Sequence, residues 1–589
     1  MAKPCIFSRR AALRTTLAFA AAAAIGAAPA MAAAPGPITV YVARQIVTMD
    51  AVRPTATAVA VRDGKILGVG SLADLAPWLK TGPYTVDDSF KDKVLLPGLI
   101  DPHLHPLLGA LQFGTVWITP EPWDIMGVKT PATQGAAAYM AALKAAFAAD
   151  KGDDPFFMTW GYSAPAHGPM SRQILDGLST TRPIMIWQRS AHEIYCNTPM
   201  LAYLEVRGVT EAKLKGNPQV DWANGHFWEA GFLKGALPAI APALLAPARV
   251  DKLFLRTRDY LNYNGITTVA DMNTGGTNWD LEVGALTRNF GAADSPVRVR
   301  LTPDVGALTA FKGADAAQAF IADAAQRNTG HVFTNNAVKL FADGAMFSLA
   351  MQIRPPGYID GHAGEWLTEP AAFETLARRY WNAGYQIHVH SNGDASDDMV
   401  LDVLQKLEGE QPRINPRFTL EHYGYATDAT NRRVADLGAQ VSANPFYLYD
   451  LGDSYAQVGL GADRAASMTP LAGLVTRGVP VALHSDFAMA PAQPLLLAWT
   501  AVTRETMSGK VMGADQRLTL DQAMRAITID AAYILHLEDK IGSIVAGKIA
   551  DFTVVDRSPY EVGAAGLRDI KVWGTVYEGK PFKAKAAVK

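Results

Sequence analysis

The residues of this chain best suited to chemistry are His103 and His105, which close the stretch Leu96-Pro97-Gly98-Leu99-Ile100-Asp101-Pro102-His103-Leu104-His105. The run from Val94 to Ile100 is apolar and reads as a buried strand. Side chains alternate along a strand, so histidines two apart share one face. Two imidazoles so placed can grip one divalent metal. An isolated His-x-His is as readily a pair of core or surface histidines. Here the chain supplies further candidate ligands, Lys339, His390, His422 and Asp486, each closing a short strand-like run.

The elements that must position these residues alternate between strand and helix. Candidate inner strands are 94–103, 265–271, 297–302, 337–341, 385–390, 417–422, 439–443 and 479–486, with helices such as 371–383 and 428–437 between them. Eight such units predict an α/β fold, a (β/α)8 TIM barrel over 94–541 with its active site at the C-terminal ends of the strands. Residues 38–93 and 542–585 carry short alternating strands, with Asp63-Gly64 as a tight hairpin turn. They are expected to build one small β-sandwich together. Between the first two inner strands lies a long insert, 107–262, rich in aromatic residues. Its length and position suggest a cap over the pocket. Trp160, Tyr162 and His192 are its candidate substrate contacts, and the competing reading is that its aromatic residues pack the insert's own core.

Composition sets the class. The chain has 589 residues, 49% hydrophobic and 19% charged, as in globular enzymes. The formal charge is −2 with no basic stripe, which argues against a nucleic-acid partner. Residues 1–32 read as an export signal: Ser8-Arg9-Arg10, an Ala-rich apolar stretch, then Ala30-Met31-Ala32. The paired arginines suggest the twin-arginine route and a periplasmic destination; an ordinary secretion signal is the alternative. Cys5 falls in that signal, so Cys196 is left without an internal disulfide partner. No later apolar run is long enough for a membrane span. A homodimer is left open.

With these residues placed, the chain resembles the amidohydrolase superfamily, and within it the amidohydrolase family 3 branch that includes N-substituted formamide deformylase-like proteins. The resemblance rests on Leu-Pro-Gly-Leu-Ile-Asp-Pro-His-Leu-His, Gly265-Ile-Thr-Thr-Val-Ala-Asp, Val338-Lys339, His390 with Gly393-Asp394, Glu421-His422, Ser485-Asp486 and Gly542-Ser-Ile-Val-Ala-Gly-Lys-Ile-Ala-Asp551. It implies that His103, His105 and Asp486 hold one divalent metal and His390 and His422 a second, zinc in both cases. Lys339, carboxylated on its amine, would bridge them. A plain ammonium has no lone pair to offer a metal; a free Lys339 in an ion pair would leave one metal. The resemblance further implies hydrolysis of a non-peptide C–N bond in a small N-acyl or N-formyl amide. Metal-activated water attacks, Asp486 takes its proton and returns it to the leaving nitrogen, and His192 helps polarise the carbonyl. A structural role for His192 is the alternative. A lactonase or esterase on the same scaffold, and a non-catalytic binding protein on a decayed barrel, are the competing functions. His388 and His484 each precede a ligand candidate by two and are read as lying one layer deeper. The segment Ala395-Ser396-Asp397-Asp398 departs from the basic residue usual there.

Overall fold

The computed structural model describes residues 35–229, 231–276 and 278–586. The expected export signal, 1–32, lies outside the described residues. The fold is mixed α/β. The eight expected inner strands are present as Leu99–Leu104, Ile266–Thr274, Arg298–Pro303, Ala337–Phe341, Gln386–Ser391, Thr419–His422, Gln440–Ala443 and Val481–Leu483. All pair in parallel, and helices such as Pro370–Asn382 and Asp428–Asp436 separate them. Their burial on both faces explains why they read as apolar runs in the sequence.

These strands do not form one continuous hydrogen-bonded ring, which departs from the expected closed barrel. Three of them, with the short strand Val332–Phe333, make a four-stranded parallel sheet, and the other five make a second. At one junction the link is the single parallel bridge between Asp304 and Lys339. At the other, Val481–Leu483 is only three residues long, so the contact is made just beyond its end. There Asp486 N donates to His103 O and His105 N donates to Phe487 O, both at 2.9 Å.

The sequence run from 94 is also divided. Tyr84–Pro97 belongs to a different sheet, and the inner strand starts at Leu99. Gly98 is the break, since a Cβ there would stand 2.2 Å from Thr267 Oγ1. Its N–H leaves the line to donate to Asp551 O at 2.9 Å. The sheet holding Tyr84–Pro97 has seven strands drawn from both ends of the chain, in the order Lys580–Lys583, Val572–Tyr577, Phe552–Val555, Tyr84–Pro97, Ile38–Val47, Thr55–Arg62, Lys65–Gly70. It is one sheet, not the two facing sheets of a sandwich. Asp63 and Gly64, both at positive φ, turn its hairpin. Arg298, buried on the third inner strand, pairs with Asp551 and ties this sheet to the centre.

The insert contributes a six-stranded sheet of its own, in the order Val220–Asp221, His226–Trp228, Glu193–Cys196, Ile184–Gln188, Phe157–Tyr162, Val116–Trp117. One apolar cluster, with Tyr139, Phe157, Tyr162 and Ile186, is internal to it. A second joins Trp160 and Trp187 to Leu104, Ile266 and Val269 of the inner strands. Among the described residues no single helix is long and apolar enough to cross a membrane.

Candidate metal centre

The ligand candidates converge because the inner strands are parallel and all end on one side. His103, His105 and Asp486 present donor atoms within 4.8 Å of one another, and so do His103, His422 and His484. Asp486 Oδ1 lies 3.0 Å from His105 Nε2 and 3.5 Å from His103 Nε2, and Asp486 Oδ2 lies 3.7 Å from His422 Nδ1. His390 stands edge-on to His422, with ring centres 4.4 Å apart. Lys339 is fully buried nearby, on the strand that pairs with Gln386–Ser391.

The backbone is bent to make this arrangement. His422, Tyr423 and Asp486 sit at φ of 76°, 50° and 54°, a region that residues other than glycine rarely occupy. Each such residue costs about 1–3 kcal/mol and persists where its surroundings fix it. Here Asn444 N donates to His422 O at 3.1 Å and Met489 N to Asp486 O at 2.6 Å. Ser485, beside Asp486, donates from both N and Oγ to the buried Asp101, which joins the last inner strand to the first.

The electrostatics favour neutral imidazoles. Burial, reinforced by the Lys339 charge, pushes His103, His390, His422 and His484 well below the usual histidine range. Burial also pulls Lys339 down to about 8, against the attraction of Glu421, Asp486 and Asp304. A neutral imidazole keeps one lone pair for a metal. The test of fit is which buried atoms lack a partner. His103 Nε2, His105 Nδ1, Lys339 Nζ and Asp486 Oδ1 all do. Unpaired buried polar atoms are rare; a cation would complete His103 Nε2 and Asp486 Oδ1, with His105 Nε2 beside them, while His105 Nδ1 turns toward Asp271 and Lys339 Nζ could join only once carboxylated. Nitrogen and oxygen donors of this kind suit zinc or another divalent first-row ion.

His192 comes from the insert. It is part-buried, with Nδ1 3.0 Å from Glu229 Oε2. Burial lowers its imidazole, but Glu229, Glu193 and Asp486 outweigh that and raise it overall. Trp160 and Tyr162 do not present an open wall to a ligand. Trp160 is fully buried between Trp117 and Trp123, and Tyr162 packs on Tyr139 and Tyr195 with its hydroxyl donating to Gly168 O. Gly161, at φ 105°, interrupts the alternation between them, so the two rings enter different clusters, which aromatic content alone does not report.

Several residues that the sequence left without a role, and His484, which it placed one layer deeper, shape the site. Glu421 holds His103 Nδ1 at 2.7 Å and His388 Nδ1 at 2.6 Å. Asp271 Oδ1 lies 4.0 Å from His105 Nδ1. Asp343 accepts from the backbone of Asn392 and Gly393 just past His390. His484 bridges Ser442 Oγ at 2.7 Å and His422 Nδ1 at 3.2 Å. A carboxylate directly before a candidate ligand, as in Glu421-His422, was the available signal for the first. His388 lies one layer deeper, as expected.

A further buried group joins the insert to the site. Arg189 donates to Glu121 Oε2 at 3.2 Å, to Asp450 Oδ2 at 2.7 Å and to Met489 O at 2.7 Å. Its guanidinium also lies 4.5 Å from the Phe347 ring centre.

The sequence profile of the amidohydrolase family matches residues 90–582. N-substituted formamide deformylase of Arthrobacter pascens is 26% identical over 423 residues, covering 69% of this chain and 75% of that protein. Protein LONG AFTER FAR-RED 3 of Arabidopsis thaliana is 26% identical over 532 residues, covering 88% and 86%. The crystal structure of an uncharacterized metal-dependent hydrolase from Pyrococcus horikoshii OT3 shares the fold, with a TM-score of 0.70 at 19% identity, over 90% of this chain and 99% of that one.

Proposed function

The chain belongs to the amidohydrolase family, and from that premise we propose that it is a metal-dependent hydrolase of a non-peptide C–N bond in a small N-formyl or N-acyl amide. The observation that carries this reading is the convergence of His103, His105 and Asp486 at the strand ends, with His103 Nε2 and Asp486 Oδ1 buried and unpartnered. The two parallel sheets are read as the wall of a (β/α)8 barrel, and the insert as its cap. The similarity to an N-substituted formamide deformylase supports the choice of amide.

His103, His105 and Asp486 would hold one zinc ion, with His390 and His422 at a second and Lys339, carboxylated, between them. A low ammonium pKa of about 8 leaves Lys339 a substantial neutral fraction, whose lone pair can take up carbon dioxide. Bound there, the metal supplies the Lewis acidity that makes water nucleophilic near neutral pH. Asp486 accepts the proton of that water on its carboxylate and passes it to the departing nitrogen. His192, held by Glu229 and raised by it, would donate to the carbonyl oxygen as charge builds there. Residues 1–32 are read as an export signal of twin-arginine type that would carry the chain to the periplasm.

The test is amine release from a panel of N-formyl, N-acetyl and longer N-acyl amides, with esters and lactones alongside. Zinc-loaded protein is compared with chelated protein. Chelator-sensitive amine release is expected. Cleavage restricted to esters or lactones would retain the metal site and discard the C–N assignment.

A further inference from the structure

Four buried residues on four inner strands form a continuous hydrogen-bonded line that ends at the candidate metal centre. Arg300, fully buried on Arg298–Pro303, lies with Nη1 3.3 Å from His388 Nε2. His388 Nδ1 lies 2.6 Å from Glu421 Oε1. Glu421 Oε2 lies 2.7 Å from His103 Nδ1. His103 Nε2, the last atom of the line, has no hydrogen-bond partner. Arg300 is itself held at two further points, by Asn335 Oδ1 and, at 2.9 Å, by Gln386 Oε1.

The chemistry of the first member orders the rest. A guanidinium only donates. His388 Nε2 must therefore accept, which puts the His388 proton on Nδ1. That proton is donated to Glu421 Oε1. With Glu421 ionised, as the Lys339 and Arg300 charges beside it favour, its second oxygen also accepts, and His103 then carries its proton on Nδ1. Its lone pair is then on Nε2, the atom that faces Asp486.

We propose that Arg300, His388 and Glu421 are positioning residues that fix the tautomer of His103 and so present its Nε2 lone pair to the metal. This rests on the metal-site reading given above. All three are fully buried behind His103. Partners behind a ligating histidine set both its ring orientation and its tautomer, and their loss costs 10–100-fold in metal affinity in sites of this kind.

The relay makes a prediction that a merely structural role does not. In Glu421→Gln the side-chain amide has one acceptor and one donor. Arg300 still forces His388 to donate from Nδ1, so the Gln oxygen must face His388 and the Gln NH2 must face His103. The His103 proton then moves to Nε2 and zinc binding weakens by about 10–100-fold. Adding Arg300→Met frees His388 to turn its tautomer and the glutamine to rotate. Glu421→Gln/Arg300→Met should therefore bind zinc more tightly than Glu421→Gln alone, although it has lost one more native residue.

The experiment measures zinc affinity by competition with a chromophoric chelator for the wild type, both single variants and the double variant, each first checked for a cooperative melt. In parallel, 15N-histidine NMR of the zinc-free protein reads the His103 and His388 tautomers directly. Recovery in the double variant, with His103 protonated on Nδ1 in the wild type and on Nε2 in Glu421→Gln, is the expected result. Wild-type affinity in Glu421→Gln, a folded double variant no tighter than the single, or a wild-type His103 protonated on Nε2 would each overturn the relay. A wild type that binds no zinc would sink the metal-site reading, and the NMR arm would still decide the tautomer.

Discussion

Replacing Arg189 by alanine should cut kcat about 100-fold while lowering the melting temperature by only a few degrees. Arg189 neutralises two buried carboxylates, Glu121 and Asp450, and holds the carbonyl of Met489. Met489 N in turn donates to Asp486 O at 2.6 Å, so the arginine anchors the turn that aims Asp486. Breaking a buried ion pair from one side costs about 3–5 kcal/mol. The melting entropy of a chain this long is roughly 1.2 kcal/mol/K, at about 2.1 cal/mol/K per residue. The melting temperature should then fall by only about 2–4 °C. Loss of the Met489 anchor acts on geometry, where a displacement near 1 Å costs about 100-fold in rate. Steady-state kcat is therefore the decisive assay, with Arg189→Lys as the comparison. Lysine keeps the charge but lacks the planar fork that reaches all three acceptors, so an intermediate kcat is expected.

The same variant carries a pH signature. Burial already pushes Glu121 up to about 7 despite the arginine, and raises Asp450. Without Arg189 both rise further above their unfolded values. The folded state then binds more protons than the unfolded one between about pH 4 and the raised values, so stability falls as pH rises through that window. Arg189→Ala should lie closer to wild type in melting temperature at pH 5 than at pH 8. A variant with wild-type kcat and unchanged melting at both pH values would refute the reasoning.

Asp486→Asn should retain zinc while activity drops by about 100- to 10,000-fold, the range for a lost general base; metal analysis beside kcat checks it, and retained turnover would remove Asp486 from that role. Gly98→Ala should cost about 1–3 kcal/mol by overpacking against Thr267. Most of that should return in Gly98→Ala/Thr267→Ala, read from denaturant midpoints. Cys196 is fully buried with its thiol pushed far up by desolvation, so Ellman's reagent should leave it unlabelled in native protein and label it after unfolding.

The inner strands were legible because each is a short apolar run bounded by polar turns. The run 337–341 matches its strand residue for residue, and 439–443 within one. The histidines were legible because they close such runs. What failed was whatever depends on residues distant in the chain. Val94 to Ile100 reads as one strand, but Gly98 divides it for reasons that lie in Thr267 and Asp551. The gap in the expected ring depends on how far the three-residue strand at Val481–Leu483 extends. Arg300 and Glu421 meet through His388 across strands about 120 positions apart, and Arg300 alone looks like any charged residue on a strand. The insert's aromatic content was plain, while the direction of each ring was not.

The seven-stranded sheet sets a clock on biosynthesis. Thr553 accepts from the backbone of Leu99, 454 residues earlier, and Phe552–Val555 is the only cover for one edge of Tyr84–Pro97 among the described residues. At about 5–20 residues per second, that edge waits roughly 20–90 seconds on the ribosome before its partner is made. An exposed apolar edge such as Val94-Leu95-Leu96 can capture another nascent chain during that time. Expression should therefore improve with abundant holding chaperones or slow growth more than with stabilising substitutions in the finished core.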